Sequence, residues 1–268
     1  MFVEKRKAFS LVELLVVISV VGLLMAILMP ALGAARSQAR AAVCQSNLRQ
    51  LVLANIGYTN ENDGFYVPAA SDLWETNSGN HRWHGVRDDG PFEPLKGPLA
   101  AYLANGKVKE CPQRVNFVSG FEQGCGGYGY NMAYIGSRLW ESGITTMAAY
   151  KAAYARTTRV TEVARPSETL MFADCAMSWL DNGRARYLEY SFAEPPFTVY
   201  NGKPMTSFYL SPSIHFHHRD WANIGWTDGH IDSRRMAEFK DSNVYGVNSA
   251  DMKLGWFEPI DNTPFDLK

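Results

Sequence analysis

The sequence predicts an α+β fold: a long N-terminal helix, membrane-spanning in its first half and amphipathic in its second, packed on a globular head with an antiparallel β-sheet. Three observations carry this. An apolar run, "AFSLVELLVVISVVGLLMAILMP", begins at Ala8 and contains a single charge, Glu13. Directly after it, "ALGAARSQARAAVCQSNLRQLVLANIGYTN" is dominated by Ala, Arg, Gln and Leu, all good helix formers. Beyond position 60, short β-like runs alternate with turn clusters and no βαβ alternation appears, which favours antiparallel pairing.

Residues 1–8 form a short basic segment in which Lys5, Arg6 and Lys7 outweigh Glu4. Residues 9–29 are long enough to cross a bilayer, which takes about 20 mostly apolar residues. The basic flank sets the N-terminus in the cytoplasm and the bulk of the chain outside. A secretory signal peptide, with small residues at Gly33, Ala34 and Ala35 for cleavage, is the competing reading, but its apolar region spans only about 7–15 residues. An acid inside a membrane helix costs about 2.5–3.5 kcal/mol near the centre and less near the end, a cost that a disposable signal has no reason to carry.

Residues 30–60 form the amphipathic stem. Pro30 removes one backbone donor and crowds the preceding turn, so it can bend the helix there. Cys44, Leu48, Leu51, Val52 and Ile56 recur at three- and four-residue spacing and share one face. The helix is expected from about Phe9 to about Tyr58, where "TNENDG" supplies Asn, Asp and Gly as a stop. In the head, 61–268, strands are expected in "GFYVP", "YGYNMAYI", "ETLMFADC", "RYLEYSF", "IHFHH" and "ANIGWTDGHID". Residues 94–104 and 145–155 are expected as short helices, and 71–93 as a surface loop carrying His81 and His84. Asp228-Gly229 is the commonest two-residue hairpin turn.

Composition narrows the function. A net charge of −1 with no basic stripe argues against a nucleic-acid partner. No HExxH, CxxC, GxSxG or P-loop pattern occurs, so no catalytic residue, metal ligand or cofactor is assigned and the chain is not expected to be an enzyme. His215, His217, His218, Asp228, His230 and Asp232 are the one cluster that strand pairing could gather into a metal or catalytic site. The reading preferred for it is structural, with His218 hydrogen-bonded to the Asp228 turn. The loop carboxylates Asp72, Asp88, Asp89 and Asp181 lack EF-hand spacing. Four cysteines fit an oxidising compartment and allow three pairings.

The segment "KRKAFSLVEL" resembles the class III leader of type IV pilins and type II secretion pseudopilins. The resemblance implies cleavage by a prepilin peptidase between Ala8 and Phe9, N-methylation of Phe9, and a role for Glu13, the fifth mature residue, in assembly. Ala8 departs from the Gly usual before the cut but is also small. Gly22 and Pro30 fall where pilin stems carry helix-softening residues. It further implies other pilin or pseudopilin subunits as partners, an anchor in the cytoplasmic membrane, and a head in the periplasm or at the cell surface. His218, nine residues and then Asp228-Gly229 resemble the H-X9-DG signature of a large class of prepilin-processed proteins. "CQSNLRQL" at 44–51, "KECP" at 109–112, "YGYN" at 128–131 and "RPSETLMFAD" at 165–174 fit the same class. Because Cys44 and Cys111 lie in those stretches and Cys125 and Cys175 do not, the resemblance favours Cys44–Cys111 and Cys125–Cys175 bonds. Cys111–Cys125, or four buried thiols, remain open. The function expected is a structural filament subunit. Its rivals are a membrane-tethered module binding a glycan or protein and, more remotely, a metal-dependent enzyme at the His/Asp cluster.

Overall fold

The computed structural model of the chain describes residues 11–75, 79–114, 116–207, 209–238 and 246–268. One helix, Leu11–Glu61, is followed by a β-rich head with mainly antiparallel sheets. The chain divides into two compact units, Met1–Arg40 and Ala41–Lys268, so the helix begins in one and ends in the other.

Within the first unit, the large apolar side chains from Leu11 to Leu32 are exposed, and this part of the helix is long and apolar enough to cross a membrane. Ser19 is accommodated there because its hydroxyl donates to the Val16 carbonyl, 2.8 Å away. Pro30 lies inside the helix. The stop falls at Glu61, just past the expected Tyr58. Gly64 N–H donates to the Thr59 carbonyl at 2.9 Å, and Asp63 (φ +51°) and Gly64 (φ +79°) adopt the left-handed conformation that ends helices.

In the second unit the expected stripe is the buried one: Cys44, Leu48, Leu51 and Val52 are all covered, joined by Asn47 and Asn55, while Ile56 at its end is half-buried. They lie on a four-stranded antiparallel sheet ordered Ile231–Arg235, Trp221–Trp226, Leu170–Asp174 and Tyr128–Tyr130. Asn55 donates to the Tyr130 hydroxyl (3.1 Å), Gln45 to the Ser233 hydroxyl (3.0 Å) and Asn47 to the Glu110 carbonyl (3.1 Å). The helix approaches the sheet closely at Gly225, where even a Cβ would come within 2.5 Å of Val52 Cγ2. Tyr130 stacks on its cross-strand partner Phe172, and Trp83 meets Phe172 edge-on.

The motif spacing from His218 to Asp228 has a structural cause. His218 and Trp221 exchange backbone hydrogen bonds around Arg219 (φ +58°) and Asp220 (φ +68°), a tight two-residue turn. The strand Trp221–Trp226 follows, and Asp228-Gly229 turns the chain into Ile231–Arg235. The nine intervening residues are therefore one central strand with its flanking turn residues.

Several local expectations are corrected. Residues 94–104 hold 3₁₀ turns at Pro94–Lys96 and Ala100–Tyr102, with Ala104–Gly106 beyond. Pro94, Gly97 and Pro98 interrupt a longer helix. The expected helix at 145–155 forms as Met147–Tyr154, capped by the Thr146 hydroxyl accepting from Ala149 N–H (3.2 Å). "GFYVP" contributes only an isolated bridge between Phe65 and Arg159. The strand Met177–Asp181, not expected, pairs with Arg184–Leu188, which in turn runs parallel to Phe117–Val118. Residues 71–93 are not a surface loop throughout: His81–Arg82 pairs with Gly85–Val86, and Arg82, Trp83 and His84 are buried. Arg82 and Trp83 go inside because Arg82 meets Glu122 there, Nη2 to Oε1 at 2.8 Å, and Trp83 donates to the Ser191 carbonyl at 2.8 Å.

Candidate functional site

Two regions carry chemistry. The first is the N-terminal segment. Glu13 lies in the first turn of the helix, with Gly22 and Pro30 further along it. A Cβ added at Gly22 would meet nothing within 4 Å, so no contact within the chain demands glycine there. Ala8 and Phe9 lie outside the described residues.

The second lies where the sheet meets the buried helix face. Cys44 comes from the helix, Cys111 from the loop after the 3₁₀ turns, Asp174 from the end of Leu170–Asp174, and His218 from the turn before Trp221–Trp226. One donor atom from each of these four residues lies within 4.8 Å of every other. Cys44 Sγ is 3.0 Å from Asp174 Oδ1, Cys111 Sγ is 3.6 Å from His218 Nε2, and His218 Nε2 is 3.4 Å from Asp174 Oδ2. Around them, the Tyr128 hydroxyl stands 3.3 Å from Cys44 Sγ, Asn223 N–H donates to Asp174 Oδ2 at 2.7 Å, and His217 Nε2 stands 3.2 Å from Cys111 Sγ.

The electrostatics divide the two thiols. Burial, the Cys111 contact and the Asp174 charge push Cys44 well above its ordinary range. The Cys44 hydrogen bond and the imidazoles of His217 and His218 outweigh burial at Cys111 and hold its thiol well below the ordinary range. Burial raises Asp174 against the pull of His217 and His218. At His217 burial opposes the charged form, but Cys111 and Asp174 prevail and raise its pKa. Relative exposures of 0% for Cys44 and Asp174, 3% for Cys111 and 6% for His218 leave no room for an outside substrate.

This arrangement revises the sequence reading. The His/Asp cluster that strand pairing could have gathered does not assemble, because the six-residue strand Trp221–Trp226 separates its two ends by about 20 Å at 3.3 Å per residue. His218 does not clamp the Asp228 turn; it faces Asp174, and its Nδ1 lies 2.8 Å from Gln113 Oε1. Asp228 instead bonds His230, whose ring nitrogen lies 2.6 Å from its carboxylate, and Asp232 accepts from Trp226 Nε1 at 2.9 Å. All four cysteines are buried free thiols in this structure, so the disulfides expected from the resemblance are not formed here; Cys44 and Cys111 are nevertheless brought together. Asp174 and Gln113 escaped sequence reasoning. A signal did exist: five separate stretches of the motif pattern each supply one member of this site, namely Cys44, Cys111, Tyr128, Asp174 and His218.

Residues 4–29 match the family described as the prokaryotic N-terminal methylation motif. The match supports a prepilin-type, pilin-like reading of the N-terminal segment, and the apolar helix that follows fits a membrane anchor. Neither a curated protein nor a solved structure matches the chain.

Proposed function

We propose that this chain is a pilin- or pseudopilin-like structural subunit. In this reading a prepilin peptidase removes residues 1–8, Phe9 becomes the N-methylated terminus, and the apolar helices of neighbouring subunits pack into a filament or pseudopilus. The observation that carries the proposal is the methylation motif at residues 4–29, continuous with an exposed apolar helix. The head holds its loops outward and works by contact rather than by catalysis. We read it as a member of the H-X9-DG class, supported by the way that spacing coincides with one central strand and its turns.

Glu13 acts in assembly. Cleavage before Phe9 creates an α-amine four residues away, and the low dielectric strengthens its attraction to Glu13 while desolvation of both ions offsets part of the gain. Between neighbouring stems that attraction sets a new subunit in register with the last. Glu13→Gln keeps the size and removes the charge. Expressed with the native assembly system, the variant is expected to be cleaved and inserted normally but depleted from the sheared filament fraction on a blot. Native-level incorporation contradicts this role for Glu13.

A second reading, a membrane-tethered binding module, is favoured by one feature. A cavity of ≈ 380 Å³ in the head is lined by Tyr150, Tyr154, Tyr190 and Tyr209 beside Glu194. Aromatic walls with a few polar groups, Glu194, Thr198 and Ser213 among them, suit a small ligand, and the same stem would then serve only as an anchor.

A further inference from the structure

We infer that Cys44, Cys111, Asp174 and His218 form a structural zinc site that fastens the head-embedded end of the helix to the central sheet. The donor set comes first. Two sulfurs, one imidazole nitrogen and one carboxylate oxygen are ligands that zinc accepts in tetrahedral sites. Distances come second. With Zn–S near 2.3 Å and Zn–N or Zn–O near 2.0–2.2 Å, ligand atoms at the corners of a tetrahedron stand about 3.3–3.8 Å apart. Here Cys111 Sγ to His218 Nε2 is 3.6 Å and His218 Nε2 to Asp174 Oδ2 is 3.4 Å, with Cys44 Sγ to Asp174 Oδ1 at 3.0 Å. The two Asp174 distances are to different oxygens of the same carboxylate, and no pair of donor atoms is more than 4.8 Å apart, so an ion would draw the set inward.

The groups behind the ligands point the same way independently. Gln113 Nε2 donates to the His217 carbonyl at 3.2 Å, which fixes the amide so that its Oε1 faces His218 Nδ1 at 2.8 Å. With an ion bound, donation from Nδ1 to that oxygen would leave the Nε2 lone pair facing the cluster. This is the orientation that a zinc-bound histidine takes from its outer partner. Asn223 N–H steadies one oxygen of Asp174, and the Tyr128 hydroxyl can donate to Cys44 Sγ. His217 Nε2 also faces Cys111 Sγ, at 3.2 Å, while its Nδ1 lies 3.1 Å from the His215 carbonyl. It stands behind the sulfur as an outer partner. Four protein ligands with almost no exposure describe a closed, structural site rather than a catalytic one, which keeps a position open.

The site has a mechanical consequence. Its ligands come from positions 44, 111, 174 and 218, so one ion ties together the helix, a long loop, a central strand and a turn. A filament subunit pulled through its stem would transmit that load to the head at this point. The ion would bind with or without polymerisation, because the ligands all belong to the second unit.

The competing state is a Cys44–Cys111 disulfide, and the experiment separates the two. Full-length protein is purified from membranes in mild detergent without chelator, and its zinc content is measured by elemental analysis alongside non-reducing peptide mapping. About one zinc per chain is expected, with Cys44 and Cys111 unlinked. Cys111→Ser and His218→Ala are expected to lose it, whereas Cys125→Ser and Cys175→Ser retain it. Because loss of a ligand can also unfold the head, two further measurements keep the inference open to refutation. Wild-type protein reconstituted with Co²⁺ is expected to show thiolate charge-transfer and tetrahedral d–d absorption. Gln113→Ala, which keeps every ligand, is expected to bind zinc about 10–100-fold more weakly in a chelator competition. A Cys44–Cys111 disulfide in native material, a folded chain free of metal, or Co²⁺ spectra without thiolate bands would each overturn the inference.

Discussion

Glu122→Gln is expected to destabilise the protein by about 3–5 kcal/mol, the cost of leaving a buried charge without its counter-ion. Arg82 and Glu122 are both almost fully buried. Arg82 Nε lies 3.0 Å from each Glu122 oxygen and Nη2 lies 2.8 Å from Oε1, while the Ser191 hydroxyl donates to Oε2 at 2.6 Å. Gln keeps the shape but abandons the guanidinium. The measurement is the unfolding free energy of the full chain in detergent, and a loss below about 1 kcal/mol would show that the pair is replaceable, as a surface pair is.

The same pair predicts an acid limb. Burial raises the Glu122 pKa, but contacts with His84, Arg82 and Ser191 outweigh it and bring the value from 4.5 to about 2. A depressed carboxyl contributes stability that is complete above its unfolded pKa and lost as pH falls through the folded one. The wild type therefore loses this contribution between about pH 4.5 and pH 2. His84 acts earlier. Burial depresses its pKa below 6.5, so the unfolded chain takes up a proton that the folded chain resists, and stability starts to fall below that pH. Glu122→Gln is expected to remove the lower limb of the curve.

Gly225→Ala carries the second large effect. The added Cβ would stand 2.5 Å from Val52 Cγ2 and 3.2 Å from Ile231 Cδ1. Overpacking of this kind costs about 1–3 kcal/mol, because the helix must move off the sheet or the strand must bend. Val52→Ala removes the obstructing methyls, at its own cost in buried area. The double variant is expected to be less destabilised than the sum of the two single ones, the signature of a shared contact. Strict additivity in denaturant unfolding would mean that the helix does not bear on Gly225.

The sequence made some parts of this molecule visible and concealed others for identifiable reasons. The apolar segment shows because a run of that length without a charge past Glu13 is rare outside a membrane span. The buried helix stripe shows because Cys44, Leu48, Leu51 and Val52 keep helical spacing. Trp221–Trp226 and its Asp228-Gly229 turn show because alternation and turn chemistry agree. Arg82 and His84 were hidden because their stretch is rich in Asp, Asn, Gly and His, and polar residues pass for surface until a buried counter-ion is seen. The thiol–imidazole–carboxylate site was hidden for another reason. Cys44 and Asp174 stand 130 positions apart, and Cys111 and His218 107 apart, so no local spacing announces them. His218 invited pairing with Asp228 by sequence proximity, but an extended strand holds the two at opposite ends.

Everything proposed for the stem rests on the N-terminal segment being processed as a prepilin leader. Intact-protein mass spectrometry of the native membrane and sheared fractions, backed by N-terminal peptide sequencing, reads that processing out. The expected mature chain begins at Phe9, lacks residues 1–8 and carries one added methyl group on its α-amine. A mature chain beginning after Ala34 or Ala35, or one that retains Met1–Ala8 in a strain with an active prepilin peptidase, would contradict it.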